Sequence, residues 1–290
     1  WALLEEPRAV LLGGSAPEAR RYERVRPAWR ELGEFPGPAG VRVTHEVSRD
    51  LPRRLSFGRR KCFRVHRFTM RGAEEEVLAL TAWALAREAA AGPDDMLHVS
   101  NVGGYHSSRD LFCGDARATA WLRDVVGACV GVAAGADAQA VAAAGETPPP
   151  SPRRCACEPP EANADDEPDG WVNVSKRAAL NHLHHHASAS MATVMYAQVP
   201  QGCGGELLLR LSRGCGQGSA EPDEERHVPR MWGGDCDELE ESEGEGVVRF
   251  VEISPKAETL LIFPGWLSHS VAPHFGHEAR VSFASNWDLS

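Results

Sequence analysis

The 290-residue chain has no run of about eighteen apolar residues, so no segment of it reads as crossing a membrane. It has no CxxC pair either. Its eight cysteines (Cys62, Cys113, Cys129, Cys155, Cys157, Cys203, Cys215 and Cys236) are scattered through a protein too long to need cross-links, so reduced thiols are expected rather than a disulfide framework. Cys155-Ala156-Cys157 has the atoms to grip a soft metal, but it sits among prolines in a linker. An initial Met is missing as well. Trp1 opens the chain, so the N-terminus is read as incomplete, no targeting segment is identified in the residues present, and the cytoplasm is the default location. Lysine is scarce beside arginine, which requires nothing more than GC-rich coding. The composition suits a globular protein, with 42% apolar residues.

The net charge of −10 is unevenly spread: residues 221–245 hold eleven acids against Arg226 and Arg230, a balance of −9. Residues 1–70 run the other way, with fifteen Arg or Lys against eight Asp or Glu. A solvated arginine-rich surface is the commoner cause of such a balance, so nucleic acid is not expected as a partner.

Residues 1–72 are frequently interrupted by Pro, Gly and Arg and read as an irregular basic region with one strand near Cys62 to Met70. Residues 73–145 read as a helical support region. Glu74, Glu75 and Glu76 fall where a helix dipole favours acids, and Val77, Leu80, Trp83, Ala84 and Arg87 follow at helical spacing up to Gly92-Pro93. A second helix is expected from a cap at Asp115, through Trp121, Leu122, Val125 and Val126, to Gly145. Residues 146–169 combine prolines and acids with almost no aliphatic content and read as a disordered linker. Residues 170–290 read as a barrel. Seven short apolar or alternating runs (171–175, 182–188, 193–199, 206–211, 247–253, 259–263 and 279–287) predict a two-sheet jelly roll, with an acidic loop inserted at about 213–246.

Within that barrel stands the cluster Asn181-His182-Leu183-His184-His185-His186. On a strand, His182, His184 and His186 would share one face, which leaves two candidate ligand pairs. His269 is a distant third imidazole. A turn through Pro273-His274-Phe275-Gly276 would fold the chain back so that His269 and Arg280 stand nearly opposite on paired strands. Arg280 offers a planar fork for a carboxylate, and Ser282, two residues on, adds a hydroxyl on the same face. Close histidines, a distant histidine and a trailing arginine are what an iron enzyme needs if it also holds a small dicarboxylate.

Several stretches carry a resemblance: Trp171-Val172-Asn173, the run from Asn181 through Tyr196 to Pro200, Gly204-Gly205-Glu206-Leu207, Phe263-Pro264-Gly265-Trp266-Leu267-Ser268-His269 and Arg280-Val281-Ser282-Phe283-Ala284-Ser285-Asn286. In that order they resemble a family of 2-oxoglutarate/Fe(II) oxygenases, and Ser100-Asn101-Val102-Gly103-Gly104-Tyr105-His106-Ser107 resembles that family's upstream segment. The resemblance covers about Met96 to Leu289 apart from the two insertions. It implies a double-stranded β-helix (jelly roll, cupin-like) with flanking helices. It also implies metal ligands His184, His186 and His269, with Arg280 and Ser282 clamping the far carboxylate of 2-oxoglutarate. Fe(II), 2-oxoglutarate and O₂ would be the cofactor set, with ascorbate a candidate reductant. Tyr196 and Asn173 are read either as contacts to 2-oxoglutarate or as groups satisfied within the barrel. His106 is read as lining the pocket or packing a loop, Trp266 as core, and His45, His66, His98 and His227 as structural or exposed.

This chain departs from the family's pattern in one small respect: Ala192-Thr193 stands where the family has Ser-Gly. A weightier point is that the usual triad for this chemistry is two histidines and a carboxylate, and no Asp or Glu adjoins this cluster. Three neutral ligands would leave iron more positive. Two other classes therefore compete with the oxygenase: a cupin-like metal enzyme that does not use 2-oxoglutarate, and an inactive barrel acting as a binding module. Against the cupin, Ser190 stands where its pattern expects Glu. Neither the substrate, small molecule or protein, nor the oligomeric state is written in the sequence.

Overall fold

The structure is a computed structural model that describes residues 22–54, 60–92, 95–97, 100–143, 168–186, 189–213 and 248–289. Six strands come first: β1 (Tyr22–Val25), β2 (Trp29–Pro36), β3 (Arg42–Ser48), β4 (Leu51–Arg54), β5 (Arg60–Phe63) and β6 (His66–Arg71). Helix α1 (Glu74–Ala90), strand β7 (Asn101–His106) and helix α2 (Arg117–Ala143) follow. The remaining strands are β8 (Asp169–His184), β9 (Met191–Gln198), β10 (Leu207–Arg213), β11 (Val248–Ile253), β12 (Thr259–Pro264), β13 (His269–Val271) and β14 (Arg280–Trp287).

Twelve strands form one curled sheet in the order β1-β11-β10-β13-β8-β14-β9-β12-β6-β3-β2, with β7 alongside β8. The pairing of β1 with β11 is parallel, whereas those that build the barrel are antiparallel. Strand β8 makes the curl. Its first part, Asp169 to Ser175, pairs with β14, whereas Asn181 and His184 pair with β13. Between them Lys176, Arg177 and Ala178 are exposed, and Ala178 takes a φ of 68°, so the chain bends from one half-sheet into the other. The result is a double-stranded β-helix.

Period-two alternation gives the sheet two apolar faces. Inward go Ala192, Tyr196, Leu207, Leu209, Val251, Leu261 and Phe263. Outward go Val172, Val174, Met195, Leu260, Ile262, Val281 and Phe283, which pack against Val77, Leu80 and Ala84 of α1 and Trp121, Leu122, Val125, Val126 and Val130 of α2. Each such side chain contributes about 1.5–3 kcal/mol on burial, so the helices clamp the outside of the sheet and leave its inside for the site. By length and composition α2 is apolar enough to cross a membrane, although it contains no unbroken apolar run of that length. In the fold, one side of it is buried against the sheet.

Four expectations need correction. Residues 22–54 and 60–71 are not irregular: β6 and β3 extend the sheet beyond β12, and β2 closes its edge. Their pattern is obscured because β2 is largely exposed and carries no alternation. Asp115 stands one residue too early to cap α2; Ala116 holds that place, and its carbonyl accepts from the Ala120 N–H at 3.0 Å and the Thr119 hydroxyl at 2.9 Å. The runs 171–175 and 182–188 are not separate strands, since the first and the start of the second belong to β8. Finally, β13 and β14 do not form a hairpin. Both pair in tandem with β8, and the chain between them lies against its bend: the His274 N–H donates to Ala179 O at 2.9 Å, and the Ala178 N–H to His274 O at 2.7 Å.

The linker read at 146–169 and the insertion read at 213–246 fall almost wholly outside the described residues. At their margins, Asp169 opens β8 and Arg213 ends β10.

Candidate metal centre

A bulge decides which histidines meet. Opposite β13, His184 pairs with His269 but Asn181 pairs with Val271, so three steps along β8 match two along β13. The extra residue resets the alternation: Asn181 and His184 both line the central cavity, while His182 is exposed. His184, His186 and His269 then converge, with one ring nitrogen from each lying within 4.8 Å of the others. Ring centres are 4.3 Å apart for His184 and His269, and 5.1 Å apart for each of the other two pairs.

Backbone carbonyls fix two of the rings. Nδ1 of His184 is 2.7 Å from the His182 carbonyl, and Nδ1 of His269 is 2.9 Å from the Leu267 carbonyl. A carbonyl only accepts, so each Nδ1 carries the proton and each Nε2 keeps its lone pair for the cavity. His186 is held through its backbone: its N–H donates to Gly265 O at 2.8 Å, and its carbonyl accepts from Ala189 at 3.0 Å. A Cβ at Gly265 would stand 2.7 Å from that carbonyl, which is why the turn after β12 needs glycine there. Burial, above all, pushes the His184 imidazole down to about 4, and burial followed by the neighbouring histidines holds His186 and His269 well below the usual range. All three are therefore neutral near pH 7, the state a metal requires.

The floor of the cavity lies across β8, β14 and β9, where Asn173, Ser282 and Tyr196 sit side by side in register. Arg280, two residues along β14 from Ser282, is only 2% exposed. Its Nη1 donates to Gly205 O at 2.6 Å and its Nη2 to Ser175 Oγ at 3.0 Å, while its Nε–H has no partner. Among the described residues no carboxylate forms an ion pair with it. Burial lowers its pKa, and Tyr196, Cys203 and Glu206 oppose that shift. Gly205 adopts a φ of +75° and a Cβ there would collide with Nη1, so the glycine makes room for the guanidinium. Asn173 Oδ1 is also buried without a partner, and burial pushes the Tyr196 phenol up to about 12. Asn173, His184, His186, Tyr196, His269, Arg280 and Ser282 thus line one cavity.

The structure also adds neighbours to this set. Strand β7 pairs with β8 so that His106 faces Asn173, and the His106 ring stacks on Trp171 at 5.5 Å. His106 lines the cavity, which decides between its two readings. Trp171 leans on His186 at 5.5 Å, and Arg109 lies over Trp171 at 5.9 Å. Trp171 stood in a stretch that carried the family resemblance, but nothing in the sequence singled out Arg109. Trp266 packs edge-on against Phe63 at 5.9 Å in the inner apolar cluster, as core.

The donor set is all nitrogen, which suits iron, zinc, copper or nickel better than magnesium or calcium. The unpaired Arg280 Nε and Asn173 Oδ1 mark places where a polar ligand would complete the cavity.

No match was found among curated proteins. Three solved structures are similar in part. A Pseudomonas putida prolyl-4-hydroxylase is 16% identical, with 74% of this chain and 88% of that one covered at a TM-score of 0.38. A prolyl hydroxylase from Trichoplax adhaerens, in complex with a hypoxia inducible factor oxygen degradation domain peptide fragment, is 14% identical, with 75% and 79% covered at 0.38. An oxidoreductase of the 2OG-Fe(II) oxygenase family from Burkholderia pseudomallei is 12% identical, with 75% and 90% covered at 0.30. Residues 169–286 match the family model described as "Putative 2OG-Fe(II) oxygenase", a span that runs from the first residue of β8 nearly to the end of β14. The similarity to that family is thus carried by the barrel.

Proposed function

We propose that the protein is a 2-oxoglutarate- and Fe(II)-dependent oxygenase of the hydroxylase type. The observation that carries this reading is the pairing, in one cavity, of three neutral imidazoles with a buried arginine that has no carboxylate partner among the described residues. His184, His186 and His269 would hold the metal, with the carbonyls of His182 and Leu267 keeping the lone pairs of His184 and His269 turned inward. Arg280 and Ser282 would hold the far carboxylate of 2-oxoglutarate through charge-assisted hydrogen bonds, for which Nε–H is still free. Tyr196 and Asn173 flank that position from the neighbouring strands. Leu207, Phe263 and Val271 line the same cavity and exclude water. When bound, iron with 2-oxoglutarate and O₂ supplies the chemistry, decarboxylating 2-oxoglutarate to succinate and CO₂ as a substrate is oxidised.

One observation favours a second reading: none of the three converging side chains is a carboxylate, as in metal enzymes that do not use 2-oxoglutarate. Succinate production separates the two. The oxygenase reading expects succinate only when both Fe(II) and 2-oxoglutarate are supplied. Turnover indifferent to 2-oxoglutarate would favour the second reading, and no turnover with any metal would favour a barrel that only binds.

A further inference from the structure

Among the described residues that line the cavity there are two arginines and no Asp or Glu, although the chain as a whole carries a charge of −10. The two arginines stand at different depths. Arg280 is buried on the floor, whereas the Arg109 side chain is 51% exposed. Arg109 follows β7 and lies over the Trp171 ring, whose other contacts are His106 and His186. Among the described residues its one ion pair is with Asp169 at 3.4 Å, long and half-exposed, so the guanidinium is only loosely held.

A cavity that concentrates positive charge at two separate depths suits two anionic groups. We infer that Arg109, positioned over the Trp171 ring, is a specificity-determining residue that binds an anionic group, carboxylate or phosphate, on the substrate to be oxidised. The inference rests on the proposed function, in which 2-oxoglutarate occupies Arg280. Asp169 acts as a placeholder on Arg109 that the substrate's anion displaces. Arginine suits this place because its fork meets either group bidentately.

The test is calorimetric titration of the full chain loaded with Zn(II) and saturating 2-oxoglutarate, at constant ionic strength. The probes are glutarate, inorganic phosphate and neutral glutaramide. The expected result is binding of glutarate or phosphate but not glutaramide, weakened by about tenfold in Arg109→Gln and partly restored in Arg109→Lys. Which anion binds more tightly identifies the group. Asp169→Asn should tighten the same probe, which a general loss of structure would not do. Equal anion binding by the wild type and Arg109→Gln, or absence of anion binding to both, overturns the inference. Loading with 2-oxoglutarate is read first and separately, so its failure counts against the proposed function. The comparison of Arg109 variants is then repeated with phosphate alone.

Discussion

His269 stands directly opposite His184 across the β8–β13 ladder, with ring centres 4.3 Å apart. A single pairing thus joins the two stretches of sequence that carry the three converging imidazoles. The bulge beside it turns His182 away.

That bulge makes a sharp prediction about neighbours in the sequence. Replacing His184 or His269 by Ala should weaken Co(II) binding by at least about a hundredfold, more than losing an outer hydrogen-bond partner costs. His182→Ala should change it by less than about twofold, since only the backbone carbonyl of His182 serves the site. Metal titration followed by absorption decides, and comparable losses for His182 and His184 would contradict the arrangement.

Gly205 and Arg280 should behave as one unit. Gly205→Ala sets a Cβ against the guanidinium at a φ of +75°, and should cost about 1–3 kcal/mol of stability along with affinity for 2-oxoglutarate. Arg280→Ala should weaken 2-oxoglutarate binding far more than metal binding, because it removes a charge-assisted partner and not a ligand. Thermal melts and paired titrations measure both. Equal loss of metal and co-substrate in Arg280→Ala would count against the clamp.

The metal-free protein should lose stability on acidification. Burial, followed by the charge of His66, holds His45 down to about 4, and burial does the same to His184. In the unfolded chain these imidazoles titrate near about 6.5. The unfolded state therefore takes up protons first, so stability is full above about pH 6.5 and falls as the pH drops towards about 4. His186 and His269, which burial also holds well below the usual range, add to the same trend. Melting temperatures recorded across this range test it, and a flat profile would show that the imidazoles are not held neutral.

The acidic segment should be dispensable for folding. Strands β10 and β11 pair from Leu207↔Ile253 to Arg213↔Val248, so the chain leaves and re-enters the sheet at adjacent positions. Deleting 221–245 still leaves enough residues to close that hairpin, and loop entropy depends only weakly on length. The melting temperature should shift by no more than about 4 °C, the effect of about 1 kcal/mol. Collapse of the transition would place the segment in the core.

Much of the barrel is legible in the sequence because its strands alternate cleanly. Met191 to Gln198 and Arg280 to Trp287 each send one set of residues to the helices and the other to the cavity. The metal cluster is legible through resemblance, since periodicity alone leaves His182 and His186 tied and only the bulge separates them. Two features are hidden for physical reasons. The tandem pairing of β13 and β14 along β8 depends on the bend at Ala178, a non-glycine residue in the left-handed region that nothing in the sequence marks. Arg109 reaches the cavity because β7 pairs with β8, a contact between segments more than sixty residues apart.

The central claim is that one cavity holds a metal on three imidazoles and an anion on Arg280. Anaerobic titration of 2-oxoglutarate into the Fe(II)-loaded protein, followed by its charge-transfer band and by calorimetry, tests this most directly. The account predicts saturable binding that is lost without Fe(II) or in His269→Ala, and weakened by at least about tenfold in Arg280→Ala. Binding of 2-oxoglutarate that ignores both the metal and Arg280 would contradict it.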